Sequence, residues 1–205
     1  MSGNVVLNNK LGIQNQAELN RVEEQLSKRK ARKLFESGDI DCIKVGMFEG
    51  LAFIHGYLFE DIYDFAGKIR DVNIAKGNFR FASVMHLKSS LEYIDKMPQG
   101  TFDQIVEKYV EMNIAHPFRE GNGRATRIWL DIIFKNAIKQ VIDWNLIDKE
   151  GYLSAMERSP VKDIEIKFLL KNALSYDINN LNLFMKGIDT SYYYEGYSQF
   201  KTEEL

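Results

Sequence analysis

The chain has 205 residues, of which 45% are hydrophobic and 27% are charged, as in ordinary soluble globular domains. Its 27 lysines and arginines stand against 29 aspartates and glutamates, so a formal charge of −2 gives no electrostatic basis for expecting nucleic acid or an anionic membrane as partner. The single cysteine excludes an internal disulfide and a cysteine-based metal site. No secretory signal or apolar membrane span is apparent, so we expect a cytoplasmic protein, with export as an effector left open.

The N-terminal part of the chain shows mainly helical spacing of its apolar residues. Residues 15–36 predict one helix, which stops at residues 37–38, and residues 42–64 predict a second. Residues 69–82 differ, because apolar and polar side chains partly alternate around Lys76, Gly77 and Asn78. That pattern predicts a β-hairpin, the one strand pair expected in the chain.

Helical spacing returns after the hairpin. Thr101 and Gln104 form the pattern of a capping box, which predicts that a helix starts before Ile105. Gly187 is expected to end a helix predicted near 177–186, and a short helix is expected at 190–199. Further helices are predicted near 123–140, 149–157 and 161–174. The expected fold class is therefore all-α, a helical bundle with one β-hairpin laid against it.

The residues with the clearest chemical content lie in one segment, HPFREGNGRATR, from His116 to Arg127. Two glycines and a proline interrupt the helical pattern, so a loop leads into the next helix. Arg124 and Arg127 lie three residues apart near the first turn of that helix, where the helix dipole is already positive. Two cations at this end are favourable if an anion binds there.

The groups of this segment suit a polyphosphate. Backbone N–H groups at residues 121–123 could receive phosphate oxygens at the helix N-terminus, where glycine permits close approach. Glu120 offers the kind of carboxylate that holds Mg²⁺ beside substrate phosphates, and His116 offers a base. Nucleotidyl or phosphoryl transfer is the reaction class that these groups fit. The simpler alternative is a helix–loop–helix connection whose histidine and arginines pair with nearby carboxylates.

The segment resembles the signature of the Fic family, HxFx(D/E)GNGRxxR, at every defined position. The resemblance implies a Fic-type helical bundle with a hairpin flap, and an enzyme that transfers AMP from ATP to a Ser, Thr or Tyr hydroxyl of a target protein. It implies that His116 is the general base, that Phe118 is the buried anchor of the loop and that Glu120 is the Mg²⁺ ligand. The nucleotide-binding residues that it implies are Lys76, Gly77, Asn113, Gly121, Asn122, Gly123, Arg124 and Arg127.

The resemblance extends to both sides of the signature. Residues 67–81 resemble the family's flap, which would hold an extended target segment by strand addition. The implied organisation is a Fic domain with an N-terminal helical extension at 1–186, with its core at about 40–175, and an inhibitory helix and tail at 187–205. His55 and His86 match no catalytic position, and we interpret them as structural or surface histidines.

A second motif follows the Fic core. Ser191, Glu195 and Gly196 match the family's inhibitory pattern, (S/T)xxxE(G/N). In relatives with this pattern after the core, the glutamate pairs with the last arginine of the signature, here Arg127, and obstructs the γ-phosphate. Ser191 and Glu195 lie four residues apart, hence on one helical face. Tyr192 beside them is the leading candidate for self-modification by AMP.

Several alternatives stay open at this stage. UTP or GTP could replace ATP, although lysine stands in place of Gly123 in kinase relatives, so Gly123 favours AMP transfer. A non-catalytic, nucleotide-binding regulator of cell division is a different class, and a DNA-binding regulator is disfavoured by the net charge of −2. The resemblance suggests a bacterial type II topoisomerase as target and a homo-oligomer as assembly, with no membrane and no direct nucleic-acid partner.

Overall fold

The computed structural model describes residues 6–76 and 79–196. Within these ranges the chain forms eight α-helices and two short strand pairs. The helices are Gln16–Glu36 (α1), Phe48–Phe59 (α2), Val84–Lys96 (α3), Phe102–Ala115 (α4), Asn122–Ile138 (α5), Lys149–Arg158 (α6), Ile164–Asn172 (α7) and Leu181–Tyr194 (α8). The antiparallel strand pairs are Ala75–Lys76 (β1) with Phe79–Arg80 (β2), and Val141–Ile142 (β3) with Leu174–Ser175 (β4).

The predicted all-α bundle with a hairpin is confirmed. Helix α1 begins where the Asn15 side chain accepts a hydrogen bond from the backbone of Glu18, and it ends at Ser37. The capping box is also present, because the side chains of Thr101 and Gln104 each bond the backbone of the other residue at the start of α4. The predicted start of α4 is therefore confirmed.

The structure differs from the element predictions in several places. Helix α2 begins only at Phe48, because residues Asp39–Cys42 form a 3₁₀ turn and Gly46 adopts a left-handed φ of 72°. Helix α3 was not predicted, although its buried side chains are spaced as on a helical face. The pair β3–β4 was also missed, because two-residue strands are too short to show an alternating pattern.

Helix α8 continues through Gly187, where a helix end was predicted. A Cβ atom at this position would lie 2.9 Å from Cδ1 of Trp144, so glycine is needed for helix packing rather than for termination. A separate helix at 190–199 is therefore not formed, and the expected boundary at 187 falls inside α8. Residues 197–199 of that prediction lie outside the described residues.

Helix α5 lies at the centre of the bundle, in contact with α2, α4 and α8. Its side chains Trp129, Ile133 and Phe134 are fully buried. Helix α1 packs against both α2 and α8, so the N-terminal extension and the helix that carries the second motif are neighbours. Among the helices of the described residues, none combines the length and the apolar character that crossing a membrane requires.

Candidate active site

A cavity of about 760 Å³ opens beside the first turn of α5. The hairpin, the end of α4, the loop before α5, helix α6 and the end of α8 form its walls. Its volume lies within the range of small-molecule sites. The lining residues that the sequence singled out are Lys76, Asn113, His116, Glu120, Gly121, Asn122, Gly123, Arg127 and Glu195. Gly77, also predicted to bind nucleotide, lies outside the described residues.

The loop before α5 is held by Phe118 and Asn122. The Asn122 side chain donates to the Phe118 carbonyl at 2.7 Å and accepts from the Phe118 backbone N–H at 2.8 Å. The Phe118 ring is fully buried and stacks on the His55 ring with centroids 3.8 Å apart. Since its side chain is engaged in the loop, Asn122 would have only its backbone to offer an anion.

His55 supports this loop from helix α2. Its Nδ1 accepts from the Gly67 backbone N–H at 2.9 Å, which leaves Nε2 to donate to the Glu120 carbonyl at 2.8 Å. Burial lowers the pKa of His55 to about 3, so the ring is neutral near pH 7. The interpretation as a structural histidine fits these contacts, and His86 is exposed on α3.

His116 is the residue directly after α4, and it adopts a left-handed conformation with φ 47° and ψ 64°. Its Nδ1 lies 3.3 Å from the Asn113 carbonyl, so Nδ1 carries the hydrogen and Nε2 keeps a free electron pair. The Phe81 ring stacks on the imidazole with centroids 3.7 Å apart. Burial lowers the pKa of His116 to about 4, which keeps the ring in the unprotonated form that a general base needs.

Glu195 lies against both arginines of the signature. Its Oε1 is 3.2 Å from Nη2 of Arg127, and its Oε2 is 2.8 Å from Nε of Arg124. Ser191 accepts from Arg127 through its hydroxyl and through its carbonyl, the latter at 3.2 Å. The predicted partner of Glu195 was Arg127 alone, so the contact with Arg124 is additional. The anion expected near the α5 N-terminus is, in this structure, a carboxylate of the same chain.

Two glycines make this arrangement sterically possible. A Cβ on Gly123 would lie 2.5 Å from Oε1 of Glu195, so any side chain there would displace the carboxylate. Gly121 adopts a φ of 77°, and a Cβ there would meet the Phe59 ring at 2.7 Å. Gly196, directly after Glu195, has a φ of 88° where the chain leaves α8.

Arg124 also contacts two further carboxylates. Nη1 forms a buried ion pair with Glu23 of α1, and Nη2 lies 3.0 Å from Oε1 of Glu120. The Tyr63 hydroxyl donates to Glu23, and burial raises the pKa of that carboxyl despite the opposing effect of Arg124. Glu23 could not be predicted from the sequence, because the pair joins residues 101 positions apart and no spacing signals such a contact.

Helix α1 also holds helix α8 in place. Lys28 forms an ion pair with Asp189 at 2.6 Å, and the Ser27 hydroxyl bonds the Tyr192 hydroxyl. Tyr192 is 2% exposed, so its hydroxyl is shielded while α8 is docked. Helix α1 therefore contributes contacts that fix the position of the helix leading to Glu195.

Comparison with known proteins agrees with this geometry. Residues 48–134 match the model of the Fic/DOC family. The chain is 29% identical over 197 residues to the protein adenylyltransferase VbhT of Bartonella schoenbuchensis. The alignment covers 90% of this chain but only 40% of VbhT, so the chain spans two fifths of the length of that relative. It is 28% identical over 170 residues to the probable protein adenylyltransferase Fic of Escherichia coli, covering 78% and 82% of the two chains. The crystal structure of BepC from Bartonella tribocorum with bound AMPPNP has the same fold, with a TM-score of 0.67 at 19% identity over 85% of this chain and 95% of that one. The signature lies within the segment at residues 48–134 that matches the Fic/DOC family model, and the fold of the chain is that of the Fic-domain structures.

Proposed function

We propose that this protein is an adenylyltransferase that moves AMP from ATP to a hydroxyl group of a target protein. The observation that carries the proposal is that one cavity holds a neutral His116 and the glycine-rich first turn of α5, with Arg127 beside them. The relatives support it, because VbhT and Fic are named adenylyltransferases and the BepC structure holds a nucleotide analogue.

The reaction follows from these groups. The target hydroxyl gives its proton to Nε2 of His116 while its oxygen forms a bond to the α-phosphorus of ATP. The bond from that phosphorus to the oxygen bridging the α- and β-phosphates breaks, and pyrophosphate leaves. The backbone N–H groups of Asn122 and Gly123 and the guanidinium groups of Arg124 and Arg127 stabilise charge on the phosphate oxygens.

Glu120 is the residue that would hold Mg²⁺. Its Oε1 accepts from the Gly121 backbone N–H at 3.0 Å, which fixes the carboxylate on the cavity wall. Among the described residues no group of three or more His, Cys, Asp or Glu side chains could hold a metal ion. A single carboxylate fits Mg²⁺, which commonly takes its other ligands from phosphates and water. When bound, the ion would neutralise charge on the polyphosphate.

The hairpin is the proposed docking place of the target. Strands β1 and β2 pair through Ala75 with Arg80 and through Lys76 with Phe79, and Lys76 lines the cavity. An extended target segment could pair with this hairpin and bring its hydroxyl to His116. A bacterial type II topoisomerase as target and self-association are proposals from the family resemblance, and the cytoplasmic location is a proposal from the sequence.

Glu195 would make the described conformation an inhibited one. Its carboxylate takes donors of Arg124 and Arg127 that phosphate oxygens would otherwise use, and its charge repels the γ-phosphate. Activity would then require that the end of α8 leave the arginines.

The test of the proposed function is AMP labelling in a bacterial lysate. We expect the Glu195→Gly variant with α-labelled ATP to label discrete proteins, while UTP and GTP supplied in parallel label them less. If the variant binds ATP in calorimetry but labels no protein with any of the three nucleotides, the chain is a nucleotide-binding regulator and the proposal is wrong.

Substitution Gly187→Ala should raise AMP transfer without touching the cavity. The added methyl group would lie 2.9 Å from Cδ1 of Trp144, and this close contact would weaken the packing of α8 against the rest of the domain. We expect activity between those of the wild type and the Glu195→Gly variant, measured as label incorporated per minute. Gly100→Ala is the matched control, because a Cβ there meets its nearest neighbour, the Gln104 side chain, at an ordinary 3.6 Å. Equal activity of Gly187→Ala and wild type would mean that docking of α8 does not limit the reaction.

Self-modification at Tyr192 would require the same release of α8. The hydroxyl is buried against Ser27, and burial raises the tyrosine pKa, so the docked side chain cannot act as acceptor. We expect AMP on Tyr192 only in variants with a loosened α8, as detected by peptide mass spectrometry. AMP on Tyr192 at equal occupancy in the wild type would contradict this order of events.

A further inference from the structure

The carbonyl groups at the end of α4 are bound by the chain segment that forms the hairpin. The Ala82 backbone N–H donates to the Ile114 carbonyl at 2.9 Å, and the Arg70 backbone N–H donates to the Pro117 carbonyl at 2.8 Å. Between these two, the Arg70 guanidinium donates from Nη2 to the Ala115 carbonyl at 3.2 Å and from Nε to the His116 carbonyl at 2.8 Å. Arg70 and Ala82, which flank the hairpin and form its base, therefore bind four consecutive carbonyls around His116.

Arg70 also joins the two arms of the hairpin to each other. Its Nη1 donates to the Val72 carbonyl at 2.7 Å, and its Nη2 donates to the Ala82 carbonyl. The side chain is 4% exposed, and no carboxylate of the described residues forms an ion pair with it. The planar fork of arginine can serve several carbonyls at fixed angles, which the single ammonium group of lysine cannot.

These contacts act on an unusual backbone conformation. A residue other than glycine with positive φ is uncommon, and His116 has a φ of 47°. Such a conformation persists when its surroundings determine it. Here the guanidinium binds the carbonyls of His116 and Ala115, and the Arg70 backbone binds the carbonyl of Pro117. A cation at the C-terminus of α4 is also favoured by the helix dipole.

We propose that Arg70 is a positioning residue that holds His116 in the orientation of the base and couples it to the hairpin on which a target would dock. This inference deepens the proposed function and rests on it. Phe81, which follows β2, supports the same coupling, since its ring stacks on the imidazole. Arg70 would then act on the chemical step and not on the affinity for ATP, because the proposed phosphate-binding groups belong to α5.

The positive charge of Arg70 provides a second test, because it affects the pKa of His116. Apart from burial, the charged groups that act on the His116 pKa are Arg70 and Lys76, which lower it, and Glu195, which raises it. Loss of the positive charge of Arg70 should therefore raise the His116 pKa, whereas Arg70→Lys should preserve it. A residue that served only to stabilise the fold would show no such difference between a neutral and a cationic replacement.

The experiment compares Arg70→Met and Arg70→Lys in the Glu195→Gly background. We expect kcat for AMP transfer to fall by about tenfold to a hundredfold in Arg70→Met, as for other small displacements of a catalytic group. The KM for ATP should stay within about twofold, and Arg70→Lys should recover part of kcat. Lys68→Met is the matched control, because it removes the same charge from an exposed side chain two residues away.

NMR titration of the histidine rings makes the test independent of the transfer reaction. The His116 ring should titrate at higher pH in Arg70→Met than in Arg70→Lys, with a changed ring shift that reports altered stacking on Phe81. An unmoved titration together with an unchanged kcat would overturn the inference. If the Arg70→Met variant does not fold, Arg70→Lys alone decides. The inference is then overturned if Arg70→Lys folds, keeps the full kcat and shows an unaltered His116 ring shift. If the Glu195→Gly protein labels no target but the His116 ring still differs between Arg70→Met and Arg70→Lys, the proposed function is wrong and the role of Arg70 stands.

Discussion

Replacing Glu195 by glycine should raise AMP transfer by at least about tenfold over the wild type. The carboxylate lies 2.8 Å from Nε of Arg124 and 3.2 Å from Nη2 of Arg127, so both arginines are engaged by an internal anion. Both arginines are buried and the Glu195 side chain is 16% exposed, and removal of a partner from a buried ion pair typically costs several kcal/mol. About 1.4 kcal/mol corresponds to a factor of ten in rate. If only part of the ion-pair energy becomes available for binding phosphate, AMP transfer should therefore rise by more than tenfold.

Initial rates of incorporation of α-labelled AMP measure this effect. Glu195→Gln separates charge from size, because it keeps the side chain but removes the repulsion of the γ-phosphate. We expect Glu195→Gln to be activated, though less than Glu195→Gly. Glu92→Gln is the matched control, since Glu92 is exposed on α3. Wild-type rates in both Glu195 variants would show that the contact with the arginines is structural and not inhibitory.

Replacing His116 by alanine in the Glu195→Gly background should lower AMP transfer by about a hundredfold to ten-thousandfold, the usual contribution of a general base. The ring is neutral near pH 7 because burial lowers its pKa to about 4, and its Nδ1 is directed to the Asn113 carbonyl. Affinity for ATP should change little, since the proposed phosphate-binding groups lie at residues 121–127.

Single-turnover rates and calorimetric ATP affinity together test the role of His116. His86→Ala is the matched control, because it makes the same substitution at an exposed histidine on α3. A loss of less than a few fold in His116→Ala, with ATP affinity intact, would assign the proton transfer to another group.

The sequence was informative wherever the signal was local. The Thr101–Gln104 capping box lies within one helical turn, and the start of α4 was predicted from it. The signature at 116–127 is also contiguous, so its side chains gather at one helix end in any fold that forms that helix. Contacts between residues one turn apart hardly depend on the rest of the structure, which is why these predictions were possible.

Long-range contacts could not be predicted in the same way. Glu23 reaches Arg124 only because α1 packs beside α2 and α8, and Arg70 gains its carbonyl partners only when the hairpin base meets the end of α4. Gly187 has the residue type of a helix end but the role of a packing site against Trp144. In each case the tertiary neighbour decides the role, and no local pattern names that neighbour.

The most direct test of the account uses ATP labelled at either the α- or the γ-phosphate. The Glu195→Gly variant is incubated with lysate and each nucleotide in turn, and His116→Ala in the same background serves as control. We predict that protein acquires label from α-labelled ATP alone, and that the control acquires almost none. Label transferred from the γ-phosphate would show phosphoryl transfer instead, and would contradict the assignment of this site as an AMP transferase.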